Sequence, residues 1–260
     1  TKAAILTRLA SRRALNVTIR HNDRADIYGQ VFHAQVPHMP AEHWAQTMAR
    51  VGPYSITPVV PVPEGTARPR IPLDHRAAER VASWLAERDL RWSLRSEGAR
   101  VIPLGPMPSA QGRRPYVIVN ISAYSTNRQW KAATCVPFIT SLRRSRPDLD
   151  ILVSGAPAEQ DDVSAIVASV NDPHVIQWKG SITEMVAVIA GAHALVSPDT
   201  ATIHVAAASG VPCVVLFAEL IKVAEWYPFG VPFRGVLSAD PSTVNAIPPD
   251  VIVNAALELV

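Results

Sequence analysis

The chain of 260 residues is 48% hydrophobic and carries a formal net charge of +3, so it can bury a sizeable core in one large or two ordinary domains and lacks the composition of a disordered protein. No apolar run reaches the length of a membrane span, and the basic residues are scattered without the interleaved aromatic residues of a nucleic-acid surface. Its two cysteines, Cys135 and Cys213, lie far apart and exclude a disulfide framework and a cysteine zinc site, which indicates a cytoplasmic protein.

The first 114 residues have an irregular pattern that is rich in proline. Asp74 is the predicted N-cap of a helix in this part. Prolines mark a linker within residues 52–73 and a second loop at 103–114, which places the main domain boundary just before Pro115. Apolar spacing predicts helices at 2–15, 41–51 and 75–88 and strands at 16–20, 57–62 and 101–104, with a further short strand expected within 28–36.

From Pro115 onward the pattern becomes regular, with strands and helices in alternation. Ser181 and Glu184 form a predicted capping box ahead of the third helix of this part. Alternation over this length predicts an α/β fold with a doubly wound parallel sheet. The predicted strands are 116–121, 150–154, 174–177, 194–196, 213–217 and 235–237, and the predicted helices are 133–145, 159–170, 185–190, 201–209 and 248–260.

The turn that follows the fourth of these strands is the first candidate binding element. Because a helix begins there after a buried parallel strand, its free backbone N–H groups form an anion site suited to phosphate. Asp199 is the predicted N-cap, and Thr200, Ala201 and Thr202 fall in the first helical turn. His204 lies one turn further and can contact the same ligand. The alternative, in which Asp199 only caps the helix and His204 only packs, stays open at this point.

Two other loops are expected at the same edge of the sheet, where the carboxyl ends of the strands meet. The loop after the first strand carries the hydroxyl groups of Ser122 and Tyr124, and its Arg128 can pair with a diphosphate in bidentate geometry. Trp130 in the same loop is expected to pack in the core. In the loop after the second strand, Glu159 either accepts hydrogen bonds from ribose or base hydroxyls or only favours the helix N-terminus.

The turn at Asp199 is part of a longer motif. It reads Asp-Thr-Ala-Thr-Ile-His at residues 199–204, continues as a helix of small residues, and ends Val-Pro-Cys-Val-Val-Leu-Phe at residues 211–217. This pattern resembles the nucleotide-sugar motif of glycosyltransferase family 9, the heptosyltransferases of lipopolysaccharide core assembly. Arg128 and Trp130 take the places of the family's Lys-x-Trp, and residues 155–159 resemble its Gly-x-Pro-x-Glu segment. This chain has Ala201 and Ala218 where the family pattern has glycine.

The resemblance implies the GT-B arrangement of two Rossmann-like domains. Residues 1–114 are then a partial N-terminal acceptor-side α/β domain plus linker, and residues 115–260 are the C-terminal nucleotide-sugar-binding domain. The family opens with a strand, a glycine-rich turn and an aspartate thought to act as base. No such opening is found here, so the N-terminal domain is expected to be incomplete and no catalytic residue is assigned. The candidate donor-binding residues are Ser122, Tyr124, Arg128, Glu159, Asp199, Thr200, Ala201 and His204.

The activity implied by the resemblance is transfer of a sugar, heptose by the family's habit, from an ADP-sugar to a lipopolysaccharide core or other glycan acceptor. The donor is a substrate, so no separate cofactor is expected, and no required metal is expected either. The mild basic bias suits an anionic acceptor and leaves open a peripheral contact with the cytoplasmic face of the inner membrane. Two alternatives stay open: a GT-B enzyme with another nucleotide-sugar donor, and a non-catalytic nucleotide-sugar-binding module.

Overall fold

The computed structural model describes residues 17–20, 34–37, 71–92 and 113–260 of the chain. The chain divides into two compact units, one made of Thr1–Ala67 with Ala224–Trp226 and the other of Arg68–Val223 with Tyr227–Val260. Four predicted elements lie outside the described residues, namely the helices at 2–15 and 41–51 and the strands at 57–62 and 101–104.

Two described strands of the first unit pair with each other. Strand β1 (Val17–Arg20) and strand β2 (Ala34–Pro37) run parallel, with Val17 opposite Ala34. Strand β1 confirms the strand predicted at 16–20, and β2 begins within the stretch where a short strand was expected. Because parallel neighbours need a crossover connection, this pairing is typical of an α/β unit.

The remaining described residues form alternating strands and helices, as the sequence predicts. The strands are β3 (Tyr116–Asn120), β4 (Asp150–Ser154), β5 (Val175–Gln177), β6 (Ala194–Pro198), β7 (Cys213–Phe217) and β8 (Phe233–Leu237). The helices are α1 (His75–Ala86), α2 (Ala132–Ser145), α3 (Gln160–Val170), α4 (Ile182–Ala190), α5 (Ala201–Ala208), α6 (Leu220–Trp226) and α7 (Pro249–Leu257). Short 3-10 turns occur at Pro157–Glu159 and Val244–Ala246.

These six strands form one parallel sheet in the order β5-β4-β3-β6-β7-β8. The chain moves outward from β3 to β5, returns to β6 on the other side of β3, and then moves outward again. The sheet is therefore doubly wound, which confirms the predicted fold class, and its topological switch point lies between β3 and β6. Ligands of such sheets bind in the crevice at the carboxyl ends of the two strands at the switch point.

The sheet is buried on both faces, which explains its continuous apolar strands. Side chains alternate along β3, so Val117 and Val119 lie on one face and Tyr116 and Ile118 on the other. Helices α2, α3 and α7 pack on the first face, and α1, α4 and α5 pack on the second. All five residues are buried in each of β3, β4, β6 and β7, so the two strands at the switch point and their outer neighbours are the most deeply enclosed part of the sheet.

Helix α1 packs on the sheet, although it precedes the predicted boundary at Pro115. Its start is confirmed, because the Asp74 carboxylate accepts a hydrogen bond from the Ala77 amide at 2.8 Å. Its apolar stripe buries Val81 and Leu85 in the same cluster as Tyr116. The division into residues 1–114 and 115–260 stays a prediction, since residues 93–112 lie outside the described part.

Helix α6 is a structural element that the sequence analysis missed. It has only seven residues, from Leu220 to Trp226, and none of them is buried. A helix this short shows barely two turns of any periodic pattern, so spacing gives no usable signal. The predicted capping box, in contrast, is present: the Ser181 amide donates to Glu184 Oε2 at 2.7 Å, and the Glu184 amide donates to Ser181 Oγ at 3.3 Å.

The capping box also joins α4 to α1, because Arg80 Nε donates to Glu184 Oε1 at 2.6 Å. The Arg80 guanidinium, together with the hydrogen bonds from Ser181, lowers the pKa of Glu184 to about 2. A depressed folded-state pKa stabilises the protein above the unfolded pKa, and this stabilisation is lost as the pH falls through the folded value.

We expect Glu184→Gln to lower the free energy of unfolding by about 1 kcal/mol at neutral pH, the usual value of a cap. The difference from the wild type should shrink as the pH is lowered from 5 toward 2, and urea denaturation at a series of pH values measures it. Glu79→Gln on the exposed side of α1 is the matched control. A pH-independent deficit would contradict the assigned charge effect.

Candidate functional site

Three loops meet at the carboxyl edge of the sheet around the switch point. They are the β3–α2 loop (residues 121–131), the β4–α3 loop (residues 155–159) and the β6–α5 turn (residues 199 and 200). Strand β3 lies between β4 and β6, so the β3–α2 loop has the other two as its neighbours.

A buried asparagine connects the two strands of the switch point. Asn120 ends β3 and is 1% exposed. Its side-chain Nδ2 donates to Ser197 Oγ on β6 at 3.0 Å and to the Ser122 carbonyl at 3.1 Å. Ser197 Oγ lies 3.0 Å from Thr202 Oγ1 in the first turn of α5. This network therefore fixes the start of the β3–α2 loop against the beginning of α5.

Helix α5 begins at the predicted residue, Ala201, but its N-cap differs from the prediction. Its N-cap is Thr200, whose Oγ1 accepts a hydrogen bond from the Thr202 amide at 3.4 Å, so the prediction of Asp199 as N-cap is wrong. The physical reason is sheet pairing: the Asp199 amide donates to the Leu216 carbonyl of β7 at 3.2 Å and extends the strand. The Asp199 carboxylate is thereby left available for a different contact.

That contact is an ion pair with the β3–α2 loop. Arg128 Nη1 lies 3.6 Å from Asp199 Oδ2, with 28% of the arginine side chain and 12% of the aspartate side chain exposed. Burial raises the pKa of the Asp199 carboxyl, while Arg128 and Lys222 lower it and Glu219 raises it further. The structure thus brings together Arg128 and the β6–α5 turn, two candidates that are about 70 residues apart in sequence.

The β4–α3 loop is joined to the β3–α2 loop by Gln129, the residue that follows Arg128. Gln129 Nε2 donates to Glu159 Oε1 at 2.6 Å, and the Ala156 amide donates to Glu159 Oε2 at 2.9 Å. Glu159 is 8% exposed and ends the 3-10 turn that leads into α3. Its carboxylate therefore caps the 3-10 turn that leads into α3, and its contact with a ribose or base stays a prediction.

The far end of the β3–α2 loop is anchored in the core. The Trp130 amide donates to the Ile121 carbonyl at 3.0 Å and closes the loop. The Trp130 ring is 1% exposed and packs against Phe138 at 5.0 Å between ring centroids, which confirms its predicted core role. Asn245, from the 3-10 turn before α7, donates to the Gln129 carbonyl at 2.8 Å.

The other candidates occupy the rim of this site in different ways. Tyr124 is fully exposed, and Ser122 and His204 are half-buried. Ala201 is exposed as the first residue of α5. Among the described non-glycine residues, positive φ angles occur at Asp89 and Asn171, so Ala201 has an ordinary backbone conformation in which its Cβ causes no strain.

Sequence reasoning missed three amide side chains of the site. Asn120 carries a weak signal, because it is the polar residue that ends a run of four apolar ones. Gln129 and Asn245 carry none, since their partners depend on tertiary structure. Within the described residues, no group of three or more histidine, cysteine, aspartate or glutamate side chains is placed to hold a metal ion. None of the described helices is long and apolar enough to cross a membrane.

The raised pKa of Asp199 predicts that its charged carboxylate lowers the free energy of unfolding in a pH-dependent way. A raised folded-state pKa means that the stability contribution is present below the unfolded pKa and is lost as the pH rises through the folded value. We therefore expect Asp199→Asn to increase the free energy of unfolding near pH 7, with the gain disappearing near pH 3. Chemical denaturation over this range measures it, and Asp161→Asn on the exposed side of α3 controls for the lost charge. A gain that persists at pH 3 would contradict the prediction.

Comparison with known proteins places the chain in a family. The model of glycosyltransferase family 9 (heptosyltransferase) matches residues 82–232, which is more than half of the chain and includes all three loops of the site. A sequence search of curated proteins gives no match.

Solved structures similar to this chain include family members. A family 9 glycosyl transferase from Veillonella parvula superposes with a TM-score of 0.67 at 12% identity, over 99% of this chain and 76% of that chain. The ADP-heptose lps heptosyltransferase II of E. coli gives 0.68 at 16% identity, over 99% and 73%. The E. coli heptosyltransferase WaaC with ADP gives 0.56 at 13% identity, over 100% and 78%.

At these identities the likeness shows the fold, which is the predicted GT-B glycosyltransferase fold. The matched family model goes further, because it covers the strands and loops that build the candidate site. The chain therefore belongs to glycosyltransferase family 9 and is a glycosyltransferase.

Proposed function

We propose that the chain transfers a heptose from an ADP-linked donor to a lipopolysaccharide core acceptor. The donor diphosphate binds between the β3–α2 loop and the N-terminus of α5. The observation that carries this proposal is the position of the Arg128 guanidinium, which lies at the switch point beside the first turn of α5. Family membership supports the reaction class, and two similar E. coli proteins are named for ADP-heptose or were solved with ADP.

The electrostatics of the crevice suit a diphosphate. The amide groups of the first turn of α5 carry partial positive charge, and Ala201 is small and exposed, so a phosphate can approach them. Arg128 has a loose partner, because its 3.6 Å separation from Asp199 exceeds a normal hydrogen-bond distance. A diphosphate carries more negative charge than one carboxylate and can accept two hydrogen bonds from the guanidinium, so it competes well with the long Asp199 contact for Arg128.

The same groups serve the chemical step. Negative charge builds on the leaving diphosphate as the glycosidic bond to the donor breaks, and fixed donors aimed at that charge lower the barrier. In this proposal Arg128 and the N-terminus of α5 supply that stabilisation. The proposed donor site is completed by Ser122, Tyr124, Thr200 and His204 and by the buried Glu159. A general base deprotonates the acceptor hydroxyl, and none of the described residues is assigned to that role.

Calorimetric titration with ADP, UDP and GDP tests the donor site. We expect ADP-selective binding that Arg128→Ala weakens roughly 10- to 100-fold, the range for one charge-assisted hydrogen-bonding group, while adenosine binding hardly changes. Arg144→Ala on the exposed side of α2 is the matched control. Selective binding of UDP or GDP would assign another donor class, and an unchanged ADP affinity in Arg128→Ala would contradict the site.

A second variant separates binding from stability at the α5 N-terminus. Ala201→Asp adds a carboxylate that favours the helix dipole, so the free energy of unfolding should hold or rise by about 0.3–1 kcal/mol. The same carboxylate repels a diphosphate by ~1–4 kcal/mol at 4 Å, so ADP affinity should fall about 10-fold or more. Ala165→Asp on exposed α3 is the control for the added charge. Unchanged ADP affinity in Ala201→Asp would place the diphosphate elsewhere.

The transfer reaction needs its own assay. The protein is incubated with ADP-heptose and a lipopolysaccharide core acceptor that lacks heptose, and the acceptor mass is followed. We expect a gain of one heptose together with release of ADP, both reduced in Arg128→Ala. ADP release without a heavier acceptor would indicate hydrolysis and would contradict the proposed acceptor.

A further inference from the structure

We infer that Asn245 is a positioning residue for Arg128. It lies in the 3-10 turn Val244–Ala246, between β8 and α7, and it holds the β3–α2 loop through the backbone of Gln129 and Lys131. The inference rests on the proposed function, because it concerns the same donor diphosphate. It adds a residue that is more than 110 positions away in sequence and that carries no motif.

Every donor and acceptor of the Asn245 side-chain amide is engaged in a hydrogen bond. Its Nδ2 donates to the Gln129 carbonyl at 2.8 Å and to Thr243 Oγ1 at 3.1 Å. Its Oδ1 accepts from the Lys131 amide at 2.7 Å and from Thr134 Oγ1 at 3.1 Å. A primary amide has two donors and two acceptor lone pairs, so these four contacts satisfy it completely. A fully satisfied amide is held in one orientation and transmits that order to its partners.

The residues that Asn245 holds lie directly next to Arg128. Gln129 and Lys131 are fixed through their backbone, and Asn127 on the other side donates from Nδ2 to the Ser242 carbonyl at 2.8 Å. The segment 242–245 thus attaches the loop on both sides of Arg128. The backbone position from which the guanidinium extends toward Asp199 is set by these contacts.

The attachment is itself rigid. Val244 and Ile247 flank Asn245 and are 1% and 2% exposed in the core cluster that also contains Trp130. The middle of the loop offers no comparable support, since Tyr124 is fully exposed and Thr126 is also exposed. Loss of the Asn245 contacts would therefore remove the anchor on the backbone of Gln129 and Lys131. The loop beside Arg128 would then be held by the side-chain hydrogen bonds of Asn127 and Gln129 and by Trp130. A displacement of the guanidinium by about 1 Å is enough to weaken a bidentate contact strongly.

A double-mutant cycle on ADP affinity tests this inference. We expect Asn245→Ala to weaken ADP binding roughly 10-fold in the wild-type background and to have little effect in an Arg128→Ala background, because a residue that acts through Arg128 has nothing left to position. Adenosine affinity should stay unchanged in all variants. Asn254→Ala, an exposed asparagine of α7, is the matched control.

A second variant guards against a folding defect. Asn245→Asp keeps the acceptor for the Lys131 amide but turns a carboxylate oxygen toward the Gln129 carbonyl, so it should also weaken ADP binding only when Arg128 is present. Equal weakening with and without Arg128, or none in either variant, would overturn the inference while leaving the donor site intact. If Arg128→Ala alone leaves ADP affinity unchanged, the proposed donor site is wrong and the inference falls with it.

Discussion

The hydrogen bond between the Asn120 amide and Ser197 is the contact on which the architecture of the site depends. At a topological switch point the chain leaves two adjacent strands toward opposite faces of the sheet, so the loops that follow them diverge. A buried amide costs free energy unless its groups are paired. Asn120 is paired with Ser197 on β6 and with the Ser122 carbonyl, so it can bridge the two sides. The distance between the β3–α2 loop and α5 is fixed by that bridge.

The pairing of β6 with β7 explains the exchange of roles between Asp199 and Thr200. Pairing with β7 extends through the Asp199 amide, so the chain is still extended at the position where a capping residue was predicted. Thr200 takes over the cap, and Asp199 presents its carboxylate to Arg128. One residue of extra strand thus changes an aspartate from a helix cap into an ion-pair partner with a raised pKa.

The sequence predicts those parts of the fold whose cause is local. Strand β4 has the predicted bounds because its apolar run lies between Asp150 and Ser154, and β7 because its apolar run begins directly after Pro212. The Ser181 capping box is present because its two partners are three residues apart. The site candidates on the strand ends follow from parallel topology. The amides of Gln129 and Asn245 could not be predicted, because nothing within a few residues of either one determines its partner. Helix α6 was missed for a different reason, since its seven residues include no buried apolar stripe that would show a period.

The missed residues share a chemical property that fits the site. Asn120, Gln129 and Asn245 are neutral amides, each of which can donate and accept in the same contact. They tie the β3–α2 loop to β6, to the β4–α3 loop and to the turn before α7 without adding charge. A lysine in any of these places would compete with Arg128 for an anion. A glutamate there would repel the anion. Neutral anchors therefore make the loop rigid while the field at its centre is set by Arg128, Asp199 and the α5 N-terminus.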